Sequence, residues 1–211
     1  MMTNNSIFDF EKAHYCVIGV DQSYTRTGIA VAFADDCKSN KIYFVGSLDL
    51  SECKTKTDRR AELALALNEI FVKIQSKWPG VPTAVVYERP RLFSKGRISA
   101  NYLLSMGALN AIIIDFAIFH KLPCYSIDTR AWRAAVVGTT KKEENSEGIP
   151  SEKYLTIKHF CDLGYSDLLK CVDKKTGKEL YNHDLADAMG IACAPFELHK
   201  KGKLNLLKTE E

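Results

Sequence analysis

Residues 18–31 of the chain read IGVDQSYTRTGIAV, and the other motifs can be interpreted around this stretch. Apolar, β-branched runs at residues 15–20 and 28–33 lie on either side of a polar turn, which predicts a β-hairpin. Asp21 would stand where the first strand ends, so its carboxylate could project from a rigid backbone. The turn allows three interpretations: ordinary turn chemistry, a phosphate cradle or a divalent-metal site at Asp21.

Composition limits the classes of protein. With 211 residues, 46% of them hydrophobic, the chain suits one domain with a sizeable core. Because 29 Lys and Arg stand against 26 Asp and Glu, nucleic-acid binding would have to come from a local basic patch. The seven cysteines lack metal-site spacing, so we expect reduced thiols. We see no signal-peptide pattern and no apolar run of membrane length, so we expect an intracellular protein without a membrane partner.

The remaining pattern predicts an α/β fold built on a mixed five-stranded sheet with flanking helices. Residues 41–50 alternate as a third strand, so three antiparallel strands come first. Buried strands at 83–87 and 123–127 are each reached through a helix and are expected to be parallel. Helices are predicted at residues 57–78 (capped by Thr57 or Asp58), 98–119 and 151–163, and after the cap residue Asn182. A short helix that holds Trp132 and Arg133 is predicted after a cap at Asp128 or Thr129. An inserted hairpin is predicted at 169–181.

Four carboxylates are predicted to converge. Glu88 ends a buried strand as Asp21 ends the first one, and adjacent strands could bring the two together. Asp184 and Asp187 are three residues apart in the last helix, so they share one helix face with Cβ atoms about 5–6 Å apart. Helix capping would explain a single acid near a helix N-terminus. It does not explain two of them, beside His183, when two strand-end acids are also present.

Close carboxylates repel one another and need a cation, and hard oxygen ligands favour Mg²⁺ or Mn²⁺ over zinc. Two-metal phosphodiester hydrolases use such a set: one ion activates the attacking water and the other stabilises the leaving oxygen. The loop after Glu88 is basic and would contact DNA phosphates. Its candidate DNA contacts are Arg89, Arg91, Lys95 and Arg97. Arg133, in the short helix predicted after Asp128, is a further candidate. Phe93 is either a wedge that stacks on bases or an apolar anchor for the loop.

The order of these motifs resembles that of the RuvC-type Holliday-junction resolvases, and the resemblance covers residues 16–194. The matching motifs are Gly-x-Asp-x-Ser-x-x-x-Thr-Gly, Glu88 at a strand end, Gly107 in a long helix, Asp128-Thr129-Arg130 with Val136-Val137-Gly138, and Asp184-x-x-Asp187-Ala188. The resemblance implies a ribonuclease-H-like fold and a homodimer that nicks four-way DNA junctions in pairs during recombination and repair. It also implies a site of two Mg²⁺ ions, replaceable by Mn²⁺, held by Asp21, Glu88, Asp184 and Asp187. Lys153 best matches a catalytic basic residue that precedes the final acidic pair.

The resemblance also divides the chain. It implies an N-terminal extension at residues 1–14, a nuclease domain at 15–198 and a basic tail at 199–211 that we expect to fray. The segments near 139–150 and 169–181 are insertions relative to the compact bacterial members, as in a viral or phage-like branch. The protein would then work in the cytoplasm or nucleoid, or in the host cytoplasm. Arg91 stands where bacterial members carry an aromatic wedge, and Phe93 follows two residues later.

The helix predicted at 98–119 is apolar on two faces. One stripe would cover the sheet: Ile98, Tyr102, Leu109, Ile112, Ile113 and Phe116. The opposite stripe contains small residues that permit close helix approach: Ala100, Leu103, Gly107, Ala111, Ile114 and Ile118. A surface helix needs only one apolar stripe, so the second would be covered by another helix of the chain or by a second copy. The resemblance favours the second copy.

Other functions remain open. An actin-like ATPase or sugar kinase also begins with a strand-end Asp and a Ser/Thr-Gly hairpin, but it needs a second domain and a second Gly-rich site that this chain does not visibly offer. A non-catalytic junction-binding module would keep the basic loop but has no use for four carboxylates, which repel DNA phosphates unless metal is bound. A ribonuclease-H-like nuclease acting on other branched DNA or on RNA is the main alternative, because the sequence does not separate these substrates.

Overall fold

The computed structural model describes residues 14–34, 40–90, 99–138, 151–172 and 177–210. The strands are β1 (Tyr15–Asp21), β2 (Arg26–Ala34), β3 (Asn40–Asp49), β4 (Thr83–Glu88), β5 (Cys124–Ile127), β6 (Lys170–Val172), β7 (Glu179–Tyr181) and β8 (Lys208–Thr209). The α-helices are α1 (Lys56–Lys77), α2 (Ala100–Phe119), α3 (Thr129–Val136), α4 (Ser151–Asp162), α5 (Ser166–Leu169) and α6 (His183–Lys200).

The main sheet has the order β3-β2-β1-β4-β5-β8. The first three strands form an antiparallel meander, whereas β4 runs parallel to β1 and β5 runs parallel to β4. The predicted α/β class and strand directions are therefore confirmed. The predicted hairpin at 169–181 is also present, as β6 paired with β7. None of the six described cysteines forms a disulfide.

The C-terminal segment differs from the prediction. We expected a fraying tail after residue 198 and five strands in the sheet. Instead α6 continues to Lys200, a 3₁₀ turn follows at Leu204–Leu206, and β8 pairs antiparallel with β5 as a sixth strand. Leu207 is buried and anchors this return. A two-residue strand is too short to show a periodic pattern, and the lysines around it are typical of an exposed tail.

Two helix details also differ. The cap of α1 is Thr55, whose hydroxyl accepts from the backbone N–H of Asp58 while the Asp58 side chain accepts from the backbone N–H of Thr55. This reciprocal pair is a capping box, and it places the N-cap two residues before Thr57. On α2, Tyr102 was predicted to cover the sheet but is 48% exposed. The face that packs inward is instead carried by Met106, Leu109, Ile113, Phe116 and Ala117.

The sheet separates two apolar cores, and side-chain alternation decides which residues face each one. Val17 of β1 and Val86 of β4 belong to the core covered by α3, α4 and α6. Ile18 and Val85, one residue away in each strand, belong to the core covered by α1 and α2. Continued to the strand ends, the alternation places Asp21 and Glu88 on the side of α3 and α6.

One helix in the described part of the chain, α2, is long and apolar enough to cross a membrane by length and composition alone. No apolar run of this length was expected from the sequence, and that expectation was wrong. The core helices of soluble proteins meet the same criteria. One face of α2 packs against α1 and the sheet, and its other face is exposed.

Candidate active site

Two neighbouring strands bring the first pair of acids together. Asp21 and Glu88 follow Val20 and Tyr87, the last residues aligned between the parallel strands β1 and β4. Gln22 fixes this edge, because its side-chain amide donates to the backbone carbonyl of Glu88 at 2.5 Å and to the Asn110 side chain at 3.0 Å. Both strand-end carboxylates are therefore attached to a rigid part of the sheet.

Helix α6 brings the second pair. Asn182 caps the helix by accepting from the backbone N–H groups of Asp184 and Leu185. The first turn of the helix lies directly on β2, since a Cβ atom at Gly28 would overlap the backbone carbonyl of Asp184. Only glycine permits this approach, which lays Asp184 and Asp187 over the edge that carries Asp21.

These acids open into one cavity of about 610 Å³. The residues predicted for the site that line it are Asp21, Glu88, Asp184, Asp187, Lys153 and Arg133. It is also lined by Ser23, Thr25, Arg26, Asp49, Ser51, Thr129 and His183, which the sequence analysis did not assign to the site. The structure thus places all four predicted acids and the predicted lysine around a common space.

Donors on α3 hold two of the four carboxylates. The hydroxyl of Thr129 donates to Oε1 of Glu88 at 2.6 Å, and the indole N–H of Trp132 donates to Oε2 at 2.9 Å. The Arg133 guanidinium donates to both oxygens of Asp187, at 3.0 and 3.2 Å. Arg133 was predicted to contact DNA, whereas here its side chain pairs with an acid inside the cavity.

Lys153 reaches the cavity from α4. Its Nζ lies 2.8 Å from Nδ1 of His183, and the same ring nitrogen lies 2.7 Å from Oδ1 of Asp184. Burial and neighbouring acids raise the pKa of Asp21, and the Lys153 charge offsets a small part of that rise. Lys153 therefore brings positive charge to the cavity, and its catalytic role stays a prediction.

Asp21 differs from the other three acids. No donor in the described ranges forms a hydrogen bond with its carboxylate. Burial raises the pKa of Asp21 well above its usual range, and the charges of Asp187, Glu88 and Asp184 raise it further. Burial also raises the pKa of Asp187 to about 6, and Glu88 adds to that rise, although Arg133 opposes it. The cavity is short of positive charge at its centre.

A divalent cation fits this donor set in chemistry. Clustered carboxylate oxygens are the ligands of Mg²⁺ and Mn²⁺, and a pKa raised by burial and by like charges, as at Asp21, makes a bound cation favourable. As the described residues stand, no three of their acidic, His or Cys side chains form a ready-made ligand group. Since Arg133 engages both oxygens of Asp187, a cation would have to displace or share that contact.

The loop predictions have a different outcome. Arg89 lies just beyond β4 and donates to the Ser126 hydroxyl at 3.2 and 3.3 Å. Its side chain therefore contacts β5. Residues Arg91, Phe93, Lys95 and Arg97 lie outside the described residues, as does the insertion at 139–150. Thr129 and Trp132 were missed as site residues. Their spacing with Arg133, at i, i+3 and i+4 after a strand end, was the available signal.

The arrangement of this sheet and its helices is the ribonuclease-H-like fold. Among solved structures, the chain is similar to Thermus thermophilus RuvC in complex with a Holliday junction substrate, with a TM-score of 0.61 and 16% identity over 93% of this chain and 99% of that one. Another Thermus thermophilus RuvC structure gives a TM-score of 0.59, 17% identity and coverage of 92% and 99%.

The yeast mitochondrial Holliday junction resolvase Ydc2 gives a TM-score of 0.55 and 14% identity over 90% of this chain and 81% of that one. At these identities the likeness establishes a shared fold. A comparison of the sequence with protein-family models and with curated proteins found no match. The activity therefore has to be argued from the cavity itself.

Proposed function

We propose that the protein is a metal-dependent endonuclease that resolves four-way DNA junctions by paired nicking. One observation carries the proposal: four carboxylates line a single cavity on one side of the sheet. Asp21 accepts no hydrogen bond from the described residues and lies among like charges. Such a group is unfavourable without cations and has no structural purpose in the core. The similarity in fold to RuvC over most of both chains supports the choice of junction DNA as substrate.

The residues that would hold the ions are Asp21, Glu88, Asp184 and Asp187. We propose two Mg²⁺ ions per site, with Mn²⁺ as a substitute. Bound ions supply Lewis-acid stabilisation of the phosphodiester oxygens. The chain's own contribution is to fix the acids at strand ends and on α6, and to add positive charge from Lys153, which we propose as a further catalytic residue.

The cavity also has groups suited to a DNA strand at its rim. Arg26 is exposed at the start of β2 and lines the cavity together with Ser23 and Thr25. A guanidinium and hydroxyls suit phosphate oxygens. Together with the basic loop from Arg89 to Arg97, they would place a phosphate backbone across the carboxylates. We propose Phe93 of that loop as the wedge at the crossover.

Paired nicking requires two sites, and we propose that α2 provides the contact between two copies. Its outer face exposes apolar side chains, with Leu104 71% and Phe119 79% exposed. Gly107 lies on this face and would tolerate a Cβ, because nothing lies within 4 Å of that position. Glycine inside a helix costs about 1 kcal/mol relative to alanine, so its presence here favours close approach of a partner helix.

A panel of substrates tests the proposed function. Labelled four-way junction, fork, linear duplex and RNA–DNA hybrid would each be incubated with the protein in Mg²⁺, Mn²⁺ or EDTA. We expect symmetric cuts in the junction with either metal and none in EDTA. Preferential cutting of the fork or the hybrid would favour the alternative of a ribonuclease-H-like nuclease with another substrate. Junction binding without cutting in either metal would indicate a non-catalytic binding module.

A further inference from the structure

Helix α3 contacts two of the four carboxylates from one face. Thr129 and Trp132 donate to the two oxygens of Glu88, and Arg133 donates to both oxygens of Asp187. The three donors stand at i, i+3 and i+4, which is the spacing of neighbours on one helix face. A strand-end acid and a helix acid are thus held by a third element that contributes no acid to the cavity.

The hold on Glu88 is rigid. Trp132 is fully buried and Thr129 is 3% exposed. The Trp132 ring lies directly against α6, since a Cβ at Gly190 would overlap it. Close packing prevents this indole from changing its rotamer, so the direction of its N–H is set by the core. The orientation of the Glu88 carboxylate follows from the fold of α3.

The contact with Asp187 is of another kind. A guanidinium delivers a full positive charge to a carboxylate that is 5% exposed. That charge offsets part of the burial cost that raises the pKa of this acid. A metal ion would offer the same compensation at the same oxygens. Arg133 and a cation are therefore competitors for one acid.

We propose that α3 is the positioning element of the site: Thr129 and Trp132 fix the orientation of Glu88, and Arg133 holds Asp187 in the place of a cation. This inference rests on the proposed function, because it treats the cavity as a metal site. It gives one helix two opposite effects on metal affinity. Loss of a Glu88 donor should weaken binding of Mg²⁺, and loss of Arg133 should strengthen it.

Calorimetric titration of the DNA-free protein with Mg²⁺, and separately with Mn²⁺, measures these effects. Thr129→Val and Trp132→Phe should each weaken binding by about 10-fold or more, the usual size for residues that orient a metal ligand. Thr129→Ser keeps the hydroxyl and should restore wild-type affinity. Arg133→Met should bind about 10-fold more tightly, whereas Arg133→Lys, which keeps a charge, should stay close to wild type.

Matched controls separate this role from simple core packing. Thr83→Val removes another buried hydroxyl, which donates to the Val81 carbonyl away from the cavity. Arg130→Met removes an exposed charge from the same helix. Neither should change metal affinity. If Thr129→Val binds metal as the wild type does, or Arg133→Met binds more weakly, the proposal is wrong.

Fluorescence gives a second readout that does not depend on cleavage. The chain has two tryptophans, and Trp78 lies against Phe33 and Tyr43, away from the cavity. In a Trp78→Phe background, Mg²⁺ should change the emission of Trp132, and Glu88→Gln should abolish that change. A silent Trp132 in a protein that binds metal would overturn the proposal for α3. A wild-type protein that binds neither metal would instead overturn the proposed function.

Discussion

The carboxylate cavity and the outer face of α2 are each incomplete in a single chain, one in charge and the other in apolar contact. The cavity gathers Asp21 and three other acids with too little positive charge to balance them. The outer face of α2, in contrast, exposes the apolar side chains of Leu104, Ile118 and Phe119 to solvent. One region has an excess of negative charge, and the other has an excess of exposed apolar surface.

The two regions therefore call for different binding partners. An electrostatic deficit in a buried site is relieved by a small ion and responds to charge-neutralising substitutions. An apolar deficit on a long helix is relieved by a large complementary surface and responds to the insertion of a charge. Substitutions in one region should therefore leave the property of the other region unchanged, and the following predictions test that separation.

The largest effect is expected for Asp21→Asn and Glu88→Gln. Cleavage of a four-way junction in Mg²⁺ should fall by at least about a thousandfold, because metal ions supply several kcal/mol of transition-state stabilisation and each 1.4 kcal/mol is about tenfold in rate. Junction binding, followed by gel shift, should persist because no cation is lost. Asp167→Asn, an exposed acid paired with Lys170, is the matched control. Near-normal cutting by either variant would refute the metal-site assignment.

The next effect concerns the outer face of α2. Leu104→Glu should convert a dimer to a monomer, since a charge would be buried against an apolar partner surface. Light scattering at micromolar concentration measures the state, with and without junction DNA. Val172→Glu changes another exposed apolar residue, 63% exposed on β6, and should not alter assembly. A wild-type protein that is strictly monomeric in both conditions would sink the dimer proposal.

Much of the fold was predictable from local pattern. The hairpin at Asp21 has apolar strands and a polar turn, and the helices have distinct periodicity, so the order of elements followed from the sequence. The convergence of the acids was predictable for a similar reason. Strand alternation fixes the side of Asp21 and Glu88, and the spacing of Asp184 and Asp187 fixes their common face. These are constraints that a few neighbouring residues already impose.

What remained hidden depends on contacts between distant segments. Trp132 was not assigned to the site, because the direction of its N–H toward Glu88 depends on how α3 packs on α6. Arg133 was predicted to contact DNA, and its pairing with Asp187 depends on the same packing. The strand β8 depends on pairing with β5 across 80 residues of sequence, which no local pattern encodes.

A smaller effect should appear in stability. The pKa of Asp21 and that of Asp187 are raised in the fold, and a raised acid pKa means stability that is present below the unfolded value of about 4 and is lost as pH rises through the folded value. In EDTA the wild type should therefore melt at a lower temperature at pH 8 than at pH 5. Asp21→Asn should reduce this loss, so its advantage over wild type grows with pH. Equal pH dependence of the two proteins in thermal unfolding would contradict the charge deficit.

The smallest effect is expected from the basic loop. Lys95→Ala should weaken junction binding modestly and lower the slope of log affinity against log salt by about one unit, because each phosphate contact releases about one counterion. Lys73→Ala is the matched control. It removes an exposed lysine from the end of α1, near Phe44 and away from the cavity, and should leave the slope unchanged. The slope is the decisive quantity, since a loop lysine that only supports local structure would weaken binding equally at all salt concentrations. An unchanged slope for Lys95→Ala would place the phosphate contacts elsewhere and leave the carboxylate cavity without this part of its DNA surface.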